Sequence, residues 1–181
     1  MAPSSNWGSI SGTLDSSLAF TSQLDGYRCT GPAEPPSMTT LSLPDPGPAF
    51  EGFVGERHLA VLTLVRPNGR PHSTPVGFTW DSDTGSARVI TWSGSVKVRL
   101  LESGHLLGSI CQVDGGRWLT IEGVARVTRD PGICADAIAA YTARYRPPKD
   151  RGDDRRVVLI EADRILASAH LGTARPSDSR G

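Results

Sequence analysis

Net charge, paired cysteines, long apolar runs and the common catalytic signatures are all missing from this 181-residue chain. Each absence removes a class of function. Lys+Arg and Asp+Glu both number 19, so no overall basic field exists to hold nucleic acid or an anionic membrane, and charge-driven recognition must be local. Cysteines stand only at 29, 111 and 134. This odd, scattered set lacks C-x-x-C or Cys/His spacing, which argues against a disulfide framework or structural zinc and fits a reducing cytoplasm. No run nears the ~18 apolar residues of a membrane span, and the first 27 residues carry no Lys or Arg for a signal-peptide n-region. The chain reads as soluble and cytoplasmic, without a nucleic-acid or membrane partner. G-x-S-x-G, H-E-x-x-H, Walker A and G-x-G-x-x-G are absent, and His58, His72, His105 and His170 are too dispersed to argue a metal site.

What is present is organised unevenly. Residues 1–37 hold eight Ser, four Gly and four Pro but only four charged residues, the composition of a disordered N-terminal extension. Met38 follows, and either translation starts there or the arm is made as written. Leu41-x-Leu43-Pro44-Asp45 reads as the lead-in to a short helix. Strand periodicity begins with HLAVLTLV (58–65), which ends at an Asn68-Gly69 turn, and resumes over about 70–80. Asp81-Ser82-Asp83-Thr84-Gly85 turns the chain into a third strand, Ala87 to Trp92. Val96 to Glu102 predicts a short helix, Ser109 to Val113 a strand, and Asp114-Gly115-Gly116-Arg117 a hairpin into a long strand, Trp118 to Val127. Asp130-Pro131 caps one substantial helix, with an apolar stripe through Ile133, Ala137, Ile138, Tyr141 and Tyr145 before Pro147-Pro148. Arg156 to Ala162 is a last strand, continuing toward Leu166, and the end from Thr173 reads as a frayed tail. The expectation is one α+β domain over 38–172: a small, mostly antiparallel barrel of about six strands with short helices beside the long one.

One segment carries chemistry on its face. Thr91-Trp92-Ser93-Gly94-Ser95-Val96-Lys97-Val98-Arg99 places hydroxyls, a glycine and a helix start beside two cations at a strand's end, which suits a phosphate. An ordinary strand-to-helix turn with a serine cap has the same composition. Tyr141, Arg144, Tyr145, Arg146, Lys149 and Arg151 interleave aromatics with cations and suit a carboxylate-bearing ligand, or equally a solvated basic loop.

The order of the motifs favours the ligand-binding readings. ERHLAVLTLVRPNGRPHSTPVGFTWD, RVITWSGSVKVR, CQVDGGRWLTIEGVARV, RYRPP and RRVVLIEADRILAS together resemble the split β-barrel flavin and deazaflavin oxidoreductases of the pyridoxamine-phosphate-oxidase-like class, and among these the coenzyme F420-dependent branch. The resemblance covers residues 50 to 170. It implies a homodimer with cofactor sites at the subunit interface and hydride transfer from reduced F420 to an electron-poor acceptor, biliverdin first among them. It also implies a phosphate held by Thr91, Trp92, Ser93, Ser95, Lys97 and Arg99, a deazaflavin ring along Pro75, Val76, Gly77 and Phe78, and a pocket wall with Gln112 and Trp118. Tyr141, Arg144, Tyr145 and Arg146 fall where the acceptor would bind. Leu100 stands where relatives often have Asn, and RPPKDRGDDRR replaces their R-x-P-R-x-N-P. No general acid presents itself; Lys97 and Arg146 are electrostatic candidates. FMN as cofactor, and a non-catalytic F420 or tetrapyrrole carrier, are the alternative readings.

Overall fold

The computed structural model describes residues 37–43 and 45–172. The expected extension, apart from Ser37, and the expected frayed tail lie outside the described residues. The short helix expected after Leu41–Asp45 is α1 (Pro48–Gly55), but before it stands an unexpected strand, β1 (Met38–Leu41), the first described element. The reason is tertiary. Met38 to Leu41 pair antiparallel with Ser168 to Ile165 at the far end of the chain, an edge that local sequence does not reveal. α1 has proline at its start and buries Phe50, Phe53 and Val54.

β2 (Ala60–Val65) and β3 (Pro71–Val76) form the Asn-Gly hairpin. The single strand expected over 70–80 is broken at Gly77–Phe78 into β3 and β4 (Thr79–Asp81), and β4 turns into β5 (Ser86–Trp92). α2 (Val96–Glu102) is capped by Ser95, whose hydroxyl accepts from Val98 N–H at 3.3 Å. β6 (Leu107–Asp114) and β7 (Arg117–Thr128) make the long hairpin. Asp130 caps α3 (Pro131–Arg144) by accepting from Ile133 N–H at 2.9 Å. A single 3-10 turn, Gly152–Asp154, leads into β8 (Arg155–Ser168) and the terminal α4 (Ala169–Gly172).

The described strands run in the order β3-β2-β6-β7-β8-β5-β4, with β1 beside β8, eight in all. The two beyond the expected six are β1 and the piece of the 70–80 run severed at Gly77. All pairings are antiparallel. β8 is lined along one side by β7, and on its other side by β5 near its start and β1 near its end. The two ends of this path, β3 and β4, are joined by only Gly77 and Phe78, so the sheet curls round on itself while these edges stay unpaired. The result is a split barrel. A register shift between Glu122 and Gly123 helps it curl; a side chain at 123 would place Cβ 1.9 Å from the Glu161 carbonyl oxygen, so only glycine fits there.

The barrel interior is filled by Leu62, Leu64, Phe78, Ile110, Leu119, Ile121, Ile160 and Ile165, closed by Phe50 and Phe53 of α1. In β2 and β7 these are the alternate residues, as period-two patterning requires. α3 lies outside the barrel, burying Cys134 and Ala137 against Val157 of β8. Ile133, Ile138, Tyr141 and Tyr145 of the expected stripe are only half-buried.

Candidate functional site

Where β3 and β5 end and the chain runs from α3 into β8, the surface opens into a cleft of about 240 Å³. Pro75, Val76 and Gly77 line one side and Thr91, Trp92 and Lys97 another; Tyr141, Lys149, Arg151 and Arg155 complete the wall. Four side chains are cations and none is a carboxylate. The Lys97 ammonium is half-buried, has no hydrogen-bond partner among the described residues, and is pushed below its ordinary pKa by burial. Arg151 lays its guanidinium 4.9 Å from the centre of the Trp92 ring. Arg155 is almost wholly buried, donating from Nη2 to the Lys149 carbonyl at 2.6 Å and from Nη1 to the Thr91 carbonyl at 3.4 Å. Its Nε and the Thr91 hydroxyl are buried without partners. An unsatisfied buried polar atom costs about 1–3 kcal/mol. Both atoms are closed off from the cleft, so the groups left to meet an anionic ligand are the cations on its lining, Lys97, Lys149 and Arg151.

A larger hollow of about 400 Å³ lies between α1, β4 and α3. Size does not decide here, because its wall includes the Glu51 carboxylate, which accepts from Ser82 at 2.8 Å, and its one cation, Arg144, is committed elsewhere.

The residues singled out from sequence divide sharply. Pro75, Val76, Gly77, Thr91, Trp92, Lys97 and Tyr141 converge on the cleft. Phe78 is fully buried beneath the Arg144 guanidinium, 4.6 Å from ring centre to Cζ. Ser93 spends its hydroxyl on the Asp154 carboxylate and its N–H on the Asp154 carbonyl, both at 2.9 Å. Ser95 is the α2 cap, and Arg99 folds back onto the Gly94 carbonyl at 2.9 Å. The close approach at Gly77 is made from within the chain: an added Cβ would lie 2.7 Å from Tyr141 Cε2 and 3.1 Å from the Tyr145 ring. Trp118 is half-buried, paired across the hairpin with Val113. Arg146 is exposed, with no partner among the described residues. Val89, Ile90, Pro148 and Arg155 also line the cleft. Sequence reasoning passed over them, because a β-rich run such as RRVVLIEA shows no local sign that its first arginine turns inward.

Arg144 and Gln112 form a strut instead. Gln112 is fully buried, its amide donating to the Phe53 carbonyl at 2.8 Å and accepting from Arg144 Nη2 at 2.7 Å. Arg144 also donates from Nε to the Glu56 carbonyl at 2.8 Å and from Nη1 to the Phe78 carbonyl. The Tyr145 hydroxyl donates to the His58 carbonyl at 2.7 Å and accepts from Phe78 N–H at 3.2 Å, and burial pushes its pKa up. The end of α3 thereby pins α1 and the break between β3 and β4. Nearby, Glu56, His58 and Asp114 cluster with the spacing of a metal site, but Arg117 bonds both carboxylates and takes the cation's place. It holds the Glu56 carboxyl down at about 2.

The fold is a split barrel, and the chain belongs to the pyridoxamine 5'-phosphate oxidase family, whose signature matches residues 47–169. It is 47% identical over 135 residues to the F420H(2)-dependent biliverdin reductase of Mycobacterium tuberculosis (strain CDC 1551 / Oshkosh), covering 74% of this chain and 93% of that protein. Among solved structures it resembles a conserved hypothetical protein of Mycobacterium tuberculosis, with TM-score 0.58 and 23% identity over 71% of this chain and 88% of that one. An F420 reductase matches with TM-score 0.53 and 21% identity over 64% and 94%. These structural likenesses concern the fold.

Proposed function

We propose that the chain is a reductase that uses reduced coenzyme F420 to convert biliverdin to bilirubin. The observation that carries this reading is a cleft walled by cations without a carboxylate, on a chain 47% identical to an F420H(2)-dependent biliverdin reductase. When bound, the deazaflavin supplies the hydride; the chain's residues bind, orient and balance charge. Lys97, half-buried and unpaired, gives a charge-assisted hydrogen bond to the phosphate, whose negative charge returns its pKa toward the ordinary range. Arg155 holds the Thr91 and Lys149 backbones in position around that phosphate. Lys149 and Arg151 face the cofactor's carboxylate tail, and Arg146, exposed at the end of α3, takes a tetrapyrrole propionate. Pro75, Val76 and Gly77 support the ring, with Tyr141 and Tyr145 backing Gly77.

The reading includes a cytoplasmic homodimer. Val61 and Val113 are 44% and 57% exposed, and register sets Val61 between Pro75 and Cys111, and Val113 opposite Trp118. This apolar stripe across four neighbouring strands suits a second copy. It reaches Pro75 at the cleft, so a partner seated there comes beside the cofactor. The described cysteines, Cys111 and Cys134, are free thiols, and no described helix is long and apolar enough to cross a membrane.

The test mixes purified protein with reduced F420 and a panel of biliverdin, quinones and nitro compounds, following the return of oxidised deazaflavin absorbance. Biliverdin-dependent oxidation is expected. F420 binding without turnover would make the chain a carrier, and a yellow protein that purifies with FMN would reverse the cofactor. Light scattering after size exclusion should give twice the chain mass.

A further inference from the structure

Reducing a conjugated tetrapyrrole takes a proton as well as a hydride. We infer that the Tyr141 hydroxyl donates this proton, an assignment that rests on the reading of the chain as an F420H2-dependent biliverdin reductase. Tyr141 lines the cleft together with Gly77 and Lys97. Its ring is fixed, pressed against Gly77 so closely that a Cβ there would lie 2.7 Å away and stacked on Tyr145 with 4.7 Å between centroids. Yet its hydroxyl makes no hydrogen bond among the described residues. The contrast with Tyr145 is instructive, since that hydroxyl is engaged by both His58 and Phe78 and serves the fold.

The other proton-bearing groups of the cleft are poorer donors. Arginine is too weak an acid to give up its proton, which removes Arg151 and Arg155. The Thr91 hydroxyl is buried and a weaker acid than a phenol. Lys97 would lose, with its proton, the charge that holds the phosphate. Lys149 is exposed, at the cleft's rim. Tyr141 is left as the one phenol lining the cleft, its hydroxyl without a partner among the described residues, and Lys97 and Arg151 line the same cleft to offset negative charge on its oxygen.

The step balances. As the acceptor's methine carbon takes the hydride, an electron pair moves through the conjugated system to a ring nitrogen. The Tyr141 O–H bond breaks as the N–H bond forms, and water at the open mouth of the cleft reprotonates the phenolate. The acceptor gains one hydride and one proton, and the proton left by oxidation of the cofactor passes to solvent.

Tyr141→Phe keeps the ring and its packing and removes only the acidic proton. General acid catalysis is worth about 10²–10⁴-fold, so the single-turnover rate with biliverdin should fall by about 100-fold or more. The solvent deuterium isotope effect of the wild-type step should change with it. Two readouts independent of turnover should hold: the thermal midpoint, and the affinity of the cofactor-free protein for biliverdin followed by tryptophan fluorescence. Tyr145→Phe should retain the wild-type isotope effect. A Tyr141→Phe rate within about threefold of wild type, with the isotope effect unchanged, overturns the assignment. A rate loss matched by an equal loss of biliverdin affinity also overturns it, making Tyr141 a binding group. A wild-type chain that leaves F420 reduced overturns the reading of function and the role of Tyr141 together.

Discussion

Replacing Arg144 separates a strut from a substrate contact, and the structure sets the size of the effect. Arg144→Met removes hydrogen bonds to the Glu56 carbonyl, the Phe78 carbonyl and the Gln112 amide oxygen. Glu56 still receives His58 N–H at 2.9 Å, while the Phe78 carbonyl is left to compete with the His58 carbonyl for the one Tyr145 proton, 3.2 Å away. The Gln112 oxygen, fully buried, is orphaned outright, at a cost of about 1–3 kcal/mol. Loss of the guanidinium over the Phe78 and Tyr145 rings adds about 0.5–2 kcal/mol. Burial pushes the Arg144 pKa below its ordinary range, so removing the charge returns part of a desolvation cost. The net expectation is a loss of about 2–4 kcal/mol, or about 6–12 °C in thermal midpoint at 3 kcal/mol. Urea unfolding measures it, beside steady-state kinetics with biliverdin varied. Gln112→Met combined with Arg144→Met should cost less than the sum of the two, because neither polar group is then left alone. A stability loss under about 1 kcal/mol with a several-fold rise in KM for biliverdin would refute the strut and return Arg144 to the acceptor.

Three further outcomes follow from the same geometry. Lys97→Ala should weaken F420 binding by about 1.5–3 kcal/mol, roughly 10- to 150-fold, with the fold intact; an unchanged affinity by titration would remove Lys97 from the phosphate site. Glu56 is held at about 2 against an ordinary 4.5, chiefly by Arg117, so its stabilisation is complete above the unfolded value and is lost as pH falls from about 4.5 toward 2. Glu56→Gln should flatten the urea midpoint across that window, and parallel wild-type and variant curves would contradict the assignment. Arg146→Ala should raise KM for biliverdin while leaving F420 affinity nearly unchanged, and added salt should partly mimic it, since charges are screened over about 8 Å at physiological ionic strength. Equal losses toward both ligands would place Arg146 on the cofactor tail.

Features governed by near neighbours were legible in the sequence. Strand periodicity marked β2, β-rich composition marked β8, Asn68-Gly69 and Asp114-Gly115 marked the hairpins, and Asp130-Pro131 marked the start of α3, because each obeys a propensity, a period or a capping rule spanning a few residues. The order of motifs along the chain also carried the family and the cofactor class. The tertiary structure decided what depends on contacts far apart in sequence. β1 exists because β8 offers it an edge more than 100 residues away. The 70–80 run breaks at Gly77, where Tyr141 of α3 and Tyr145 just beyond it close in. Ser93, Gln112 and Arg144 are turned away from the cleft by partners 61, 59 and 88 residues distant, while Arg155 is drawn into it. Identical hydroxyls, amides and guanidinium groups bind a ligand or brace the fold according to which carbonyl the barrel brings within 3 Å, a matter set by closure of the sheet and not by any neighbour in the chain.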